Sequence, residues 1–297
     1  MNKRKICIGS AQFGNPYGIS NRSKKRVSFN ELNKIFELVL YNKINYLDTA
    51  FEYNLSSSFK KINFNFNNMN IITKIPSTYF REKNFLETIE KKLKRDLKKF
   101  KIKCFYGVLI HDFINLKNKD KYKIKKTLQY LLKKKITKKI GLSIYQQKEF
   151  YNFQKIIKPN IVQGPVNLFD KSMLKNNFLN FLESQKIEFH ARSIFLQGLL
   201  LMDFENLPIY FLKWRKCFDN LKTWSVKNNI SIYNACLLYV YSIQNIKKII
   251  VGFQTSDQLN EFLQFKSRKE INFNKIINLN YSEKLIKPYH WNINEKK

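Results

Sequence analysis

Short apolar or β-branched runs alternate along the chain with longer segments in which apolar residues recur every three to four positions. The runs 5–10, 45–50, 70–75, 105–111, 139–144, 161–166, 188–194 and 248–253 predict eight strands. Between them, Leu32, Ile35, Phe36 and Val39 fall on one helical face, Leu86, Ile89, Leu93 and Leu97 on a second, and Ile124, Leu128, Leu131 and Leu132 on a third. Further helices are predicted over 147–157, 172–184 and 256–265, and Ser28 with Glu31 three residues on predicts a capping box for the first helix.

Strands that alternate with helices pair in parallel, because parallel neighbours need a crossover connection. At 297 residues the economical closure is an α/β fold of the (β/α)8, or TIM-barrel, type. The alternative is a doubly wound open sheet, but no G-x-G-x-x-G follows the first strand. The stretch 207–245 reads as two helices, an elaboration between strands 7 and 8, and the C-terminal tail after Asn272 lacks periodicity and is expected to wrap one end. No Gly/Ser/Pro-rich linker and no repeat interrupts the chain, so 1–297 reads as a single barrel domain.

Composition narrows the class of protein. With 44% hydrophobic residues, 8 Gly and 6 Pro, the chain is neither disordered nor collagen-like. The basic start Met1 to Lys5 is followed by an apolar run that stops at Gly9, too short for a signal peptide, and the apolar stretch from Ala235 to Ile243 is too short for a membrane span. Cys7, Cys104, Cys217 and Cys236 form no C-x-x-C, which predicts free thiols in a cytoplasmic protein with no metal site. The formal charge of +33 is large enough to attract nucleic acid. Its carriers argue otherwise: 47 are Lys and eight are Arg, spread through nearly every helix, whereas phosphate and base readers favour the Arg fork. The excess reads as compositional drift, with a partner that is a small molecule rather than nucleic acid or membrane.

In a (β/α)8 barrel, chemistry gathers where strands end at the carboxyl face. Asp48 ends the second predicted strand, Tyr53 follows in its loop, Lys74 ends the third and His111 the fourth. Each alone has a plain structural reading as a cap, packing or surface residue. Their succession at the ends of consecutive strands predicts one mouth.

These residues, with their surroundings, resemble the aldo-keto reductase family. The resemblance runs through Leu47-Asp48-Thr49-Ala50 with Tyr53, Thr73-Lys74, Leu109-Ile110-His111, Ile140-Gly141-Leu142-Ser143, Val162-Gln163 with Asn167, Arg192 to Leu200, and Val251-Gly252 leading to Gln258-Leu259 and Glu261. It implies an NAD(P)H-dependent oxidoreductase that reduces an aldehyde or ketone, with NADP as the expected cofactor and NAD as the alternative. Tyr53 would be the general acid, Lys74 would favour its phenolate, Asp48 would fix Lys74, and His111 would orient the carbonyl. The resemblance also implies cofactor contacts from Ser10, Asp48, Ser143, Gln163, Arg192, Ser193, Phe195, Gly198, Gly252, Gln254, Gln258 and Glu261. Ser143 and Gln163 would hold the nicotinamide carboxamide, Ser193, Phe195 and Gly198 the pyrophosphate, and Gln254, Gln258 and Glu261 the adenosine. The family also includes potassium-channel β subunits, so a regulatory barrel without turnover is the competing implication.

The sequence departs from the family at several positions. Ile144 stands where a polar residue is common, Phe262 replaces the usual Asn, and no Arg marks a ribose 2′-phosphate site. Arg192 stands where an aromatic ring usually lies on the nicotinamide, so its guanidinium is expected either to stack there or to swing away to a loop carboxylate or a substrate anion. Tyr17, Phe51 and Trp291 are expected to line the substrate pocket, and the opening and the Arg-Ser-Ile-Phe-Leu-Gln-Gly stretch resemble a bacterial branch of the family met beside surface-polysaccharide enzymes, which implies a sugar-derived or polyol-like carbonyl.

Overall fold

The computed structural model describes residues 2–21, 24–55, 62, 64–266, 271–277 and 281–292. Eight strands, β1 (Ile6–Gly9), β2 (Tyr46–Asp48), β3 (Asn70–Ile75), β4 (Phe105–Ile110), β5 (Thr137–Ser143), β6 (Ile161–Pro165), β7 (Glu188–Arg192) and β8 (Ile246–Gly252), form a closed barrel in sequence order. All pairings are parallel, and β1 closes the ring on β8 with Ile6 opposite Ile249 and Gly9 opposite Gly252. The predicted strands are all present. Only 70–75 is matched at both ends, because the others trade a residue or more with the loops that leave them.

The crossovers carry the longer helices: α1 (Phe29–Tyr41), α2 (Phe85–Phe100), α3 (Lys121–Lys133), α4 (Gln147–Gln154), α5 (Phe178–Ser184), α6 (Arg215–Lys227), α7 (Ile232–Ser242) and α8 (Ser256–Gln264). Between β7 and β8 lie α6 and α7, preceded by the single turn Ile209–Leu212, so the predicted elaboration is there. The apolar face of α1 is buried at Leu32, Ile35, Phe36 and Val39, each such side chain contributing roughly 1.5–3 kcal/mol. On α2, Ile89 and Leu93 are buried while Leu86 and Leu97 are only partly so, and Phe85 and Phe100 complete that face. These faces meet Ile8, Leu47, Ile71, Val108, Val162, Phe189, Ile249 and Val251 on the outside of the barrel.

The predicted capping box at α1 is half formed. The Ser28 hydroxyl accepts the Glu31 N–H at 3.3 Å, but the Glu31 carboxylate turns instead to the Ser256 N–H (2.7 Å) and hydroxyl (3.0 Å) at the start of α8. The tail returns over the strand ends. Buried Lys287 donates to the Tyr145 carbonyl at 2.7 Å and pairs with Asp170 at 3.4 Å, residues of the loops that follow β5 and β6. The last residues of that tail, 293–297, lie outside the described residues. Among the described residues, no helix is long and apolar enough to cross a membrane.

Inside the barrel the side chains are unusually polar. Contacts between non-adjacent strands identify them: Gln163 of β6 reaches Asp48 of β2, and Lys139 of β5 and Tyr106 of β4 both reach Glu188 of β7. An apolar layer of Ile72, Leu109 and Ile161 lies within this interior, with Tyr46 and Tyr106 packed against it.

Candidate active site

Asp48, at the end of β2, and Lys74, near the end of β3, form a buried ion pair at 2.5 Å. Lys74 also donates to the Thr49 carbonyl at 2.9 Å, and the second Asp48 oxygen accepts from the Gln163 amide at 2.6 Å. Both charges are therefore fully engaged in a dry setting, where a charge left alone would be costly. Tyr53 lies in the one-turn helix Phe51–Tyr53 just past β2, with the Lys74 ammonium 5.4 Å from its ring centroid. His111, directly after β4, meets the Tyr53 ring edge-on at 6.2 Å. The four side chains picked from the sequence do converge on the carboxyl mouth.

Two details differ from expectation. Lys74 was expected to pull the Tyr53 phenol toward phenolate. Instead burial, and after it the Asp48 charge, holds that phenol above its ordinary range, with Arg192 acting against them. The hydroxyl therefore stays protonated at neutral pH. The second detail is Glu52, which the sequence reading passed over. Its carboxylate holds His111 Nδ1 at 3.0 Å and is itself pulled below the usual carboxylate range by that hydrogen bond. An acid next to Tyr53 in sequence was the available signal.

The match to a family profile decides what this constellation is. Residues 5–275 match the profile of the aldo/keto reductase family. The chain belongs to that family. A thermostable aldo-keto reductase solved with the inhibitor epalrestat superposes with a TM-score of 0.63 at 15% identity, covering 96% of this chain and 94% of that one. A Pseudomonas aeruginosa protein described as an aldo-keto reductase gives 0.57 at 14% identity, over 86% of this chain and 87% of that one. At such identities the likeness is one of fold. A search of curated proteins found no match. Family and fold together support an oxidoreductase.

The cofactor positions expected of an aldo-keto reductase divide into two groups. Ser143 and Gln163 face each other across β5 and β6, both buried, and Gln163 Oε1 has no hydrogen-bond partner. Arg192, at the end of β7, also opens on the mouth. Its Nη2 donates to the Ile144 carbonyl (3.1 Å) and Nη1 to the Ser193 hydroxyl (3.3 Å), while its buried Nε has no partner.

The remaining positions are occupied by the protein itself. Ser10 donates to the Asp48 carbonyl at 2.9 Å and is fully buried, tying β1 to β2. Phe195 is stacked on Tyr233 of α7 at 5.3 Å. Gly198 sits at φ +90°, and a Cβ there would lie 2.0 Å from the Ser20 hydroxyl; one on Gly252 would lie 2.0 Å from the Gln12 amide. The loop around Gly198 is strained, with Ser193, Leu196 and Gln197 at φ of 57°, 49° and 54°. At α8, the Gln258 side chain accepts the Gln254 N–H (2.8 Å) and Thr255 accepts the Gln258 N–H (3.2 Å), while Glu261 lies further along the helix. With Glu31 on Ser256, the donors that begin α8 are already used.

Three expectations for the pocket are corrected. The Arg192 guanidinium lays one face on Tyr145, 4.2 Å from its centroid, so that face is not open to a nicotinamide. Phe51 is buried against Tyr79 at 5.2 Å with the Lys92 ammonium of α2 at 5.3 Å, which makes it core. Trp291 packs on Phe211 at 5.0 Å and donates to the Leu285 carbonyl, holding the tail. Tyr17 is 39% exposed, yet burial around its hydroxyl, with Tyr53 and Tyr145 in electrostatic range, raises the phenol above its ordinary range. Among the described residues no His, Cys, Asp and Glu gather in a group that could hold a metal.

Proposed function

We propose that the protein is a nicotinamide-dependent carbonyl reductase in which Tyr53 protonates the carbonyl oxygen of an aldehyde or ketone. The observation that carries this reading is the buried, unpartnered Gln163 Oε1 beside the Asp48–Lys74 pair. A buried acceptor without a donor costs about 1–3 kcal/mol, and the amide N–H of a nicotinamide carboxamide would satisfy it. Ser143, opposite Gln163 in register, would share that group. When bound, the reduced dinucleotide supplies hydride.

The chain's own residues do the rest. Tyr53 carries the proton, and its raised pKa keeps the hydroxyl loaded across the neutral range. His111, steadied by Glu52, donates toward the same oxygen and orients the carbonyl. Lys74, held by Asp48 and the Thr49 carbonyl, keeps a fixed positive charge by the ring of Tyr53, stabilising negative charge as it develops there. Of the two dinucleotides we take NADH as the tighter ligand, although the family resemblance leans to NADP. The Glu31 carboxylate at the start of α8 would repel an additional phosphate in the adenosine segment. The four free thiols fit a reducing cytoplasm.

The test is oxidation of NADH and NADPH with a panel of aldehydes by the parent and Tyr53→Phe proteins. The parent turns over, and the variant loses reduction by roughly 10²- to 10⁴-fold while still binding cofactor. Equal rates would remove Tyr53 from the chemistry, and no turnover by the parent across the panel would remove the reductase reading.

A further inference from the structure

Arg192 is an exception among the enclosed cations of this protein. Lys74 pairs with Asp48, Lys287 with Asp170, Lys139 with Glu188 and Lys123 with Asp120. Among the described residues, no carboxylate lies within ion-pairing distance of Arg192. The nearby acids are committed elsewhere: Glu149 accepts the Tyr145 and Gln146 N–H groups at 2.9 Å each, and Asp170 serves Lys287 and Ser172. Among the described residues Lys248 is a buried cation that also lacks a carboxylate, and it escapes by another route, since burial lowers its pKa to about 8 and it can shed the proton. A guanidinium cannot.

What surrounds Arg192 is suited to an anion. Tyr145 supplies the face under the guanidinium, and the Tyr17 and Tyr53 phenols lie within electrostatic range of it. Phenols offer O–H donors to an anion without competing negative charge. The buried Nε–H still lacks an acceptor, and the Lys287 ammonium, paired with Asp170, lies 5.8 Å from the Tyr145 ring centroid. Tyr53 belongs to both sets, so the anion would sit next to the reacting carbonyl rather than at a distant surface.

We propose that Arg192, with Tyr17 and Tyr145, forms an anion subsite that takes a carboxylate carried by the carbonyl substrate. The preferred substrates are then oxo-acids or aldehyde-acids, whose carboxylate and carbonyl are read by one mouth. This rests on the carbonyl-reductase reading for its turnover arm only. A phosphate of the cofactor is the other source of an anion here, and the test separates the two.

The probes are 4-formylbenzoate and its neutral methyl ester, which differ in charge at one end. Binding is read by calorimetry in the presence and absence of NADH, and kcat/KM for each probe is read by NADH oxidation. The parent is expected to favour the carboxylate at least tenfold in both, and Arg192→Gln to bring the ratio close to one. Arg192→Lys, which keeps the charge and loses the fork, should fall between. Because Arg192→Gln removes a half-buried side chain, melting curves accompany it, and Tyr17→Phe, at an exposed ring, provides a second variant that should lower the ratio about threefold or more.

Equal handling of the two probes by the parent overturns the proposal, as does a ratio unchanged in Arg192→Gln. A loss of NADH affinity in Arg192→Gln with the probe ratio intact assigns the anion to the cofactor and also overturns it. If the carboxylate binds through Arg192 but neither probe is reduced, the subsite stands and the reductase reading falls.

Discussion

The floor and the mouth of the same barrel differ in how they treat buried polar groups. At the floor, where the strands begin, Glu188 accepts from Lys139 (2.5 Å), Tyr106 (2.7 Å) and His190 (3.0 Å), and Lys139 also donates to Tyr106 at 2.8 Å. Lys248 donates to the Arg4 carbonyl at 2.6 Å with its ammonium 3.4 Å above the Tyr46 ring. Burial keeps His190 neutral, so it gives one N–H to Glu188. The charged groups here satisfy one another, and of the neutral His190 ring only Nδ1 is left without a partner. At the mouth, Asp48 and Lys74 are equally well paired, but Gln163 Oε1 and Arg192 Nε beside them are left without partners. A protein selected only for stability would fill those places. His190 Nδ1 at the floor lacks a partner too, but it belongs to a neutral, fully enclosed ring, whereas the two atoms at the mouth lie beside an ion pair at the strand ends, where this fold binds ligands.

The comparison can be broken in order of effect. The largest loss of stability should come from Asp48→Asn, which leaves the Lys74 charge buried without its partner. Urea unfolding should show a loss of about 3–5 kcal/mol, and Asp48→Leu combined with Lys74→Met should recover much of it. A loss under about 1 kcal/mol would mean that solvent reaches the pair, which its burial argues against.

Glu188→Gln tests the floor. Burial would raise the Glu188 pKa, but hydrogen bonds from His190, Lys139 and Tyr106 outweigh it and bring it to about 2. Its folded pKa lies below the unfolded value, so the stability it contributes is present above about pH 4.5 and is lost as pH falls toward 2. The variant should be less stable by roughly 2–3 kcal/mol at pH 7, converge with the parent in acid, and leave cofactor binding unchanged. Parallel stability curves from pH 7 to pH 3 would contradict this assignment.

The smallest effect belongs to Lys248→Met. The folded pKa of Lys248 is lowered to about 8, so between pH 8 and 10.5 the unfolded chain binds the extra proton and parent stability gains with pH. The variant should lack that gain relative to the parent and be more stable at pH 7 by about 1 kcal/mol. Relief from desolvation exceeds the lost hydrogen bond to Arg4. Identical pH dependence in the two proteins would show that the ammonium is solvated.

Legibility from sequence followed the same division. The strands could be read because each is a short apolar run between amphipathic helices, and the four mouth residues because strand ends fall at predictable places. Partnerships could not. Glu31 looked like the second half of a cap three residues from Ser28, but its partner Ser256 lies 225 residues away. Glu188 and Lys139 begin two of the predicted strands, but nothing local says that both point into the barrel. Arg192 was visible as a departure from the family pattern. That it rests on Tyr145, with one N–H unused, depends on how two loops from separate strands meet.

The central claim is that the mouth, and not the floor, holds a nicotinamide cofactor through Gln163. Quenching of intrinsic fluorescence by NADH and NADPH tests it without any substrate. Saturable binding at one site is expected for the parent, tighter for NADH, with the same Kd in Glu188→Gln and a Kd about tenfold higher in Gln163→Leu, as loss of one buried hydrogen bond implies. A parent protein that shows no saturable quenching with either dinucleotide, or a Gln163→Leu protein that binds as the parent does, would contradict it.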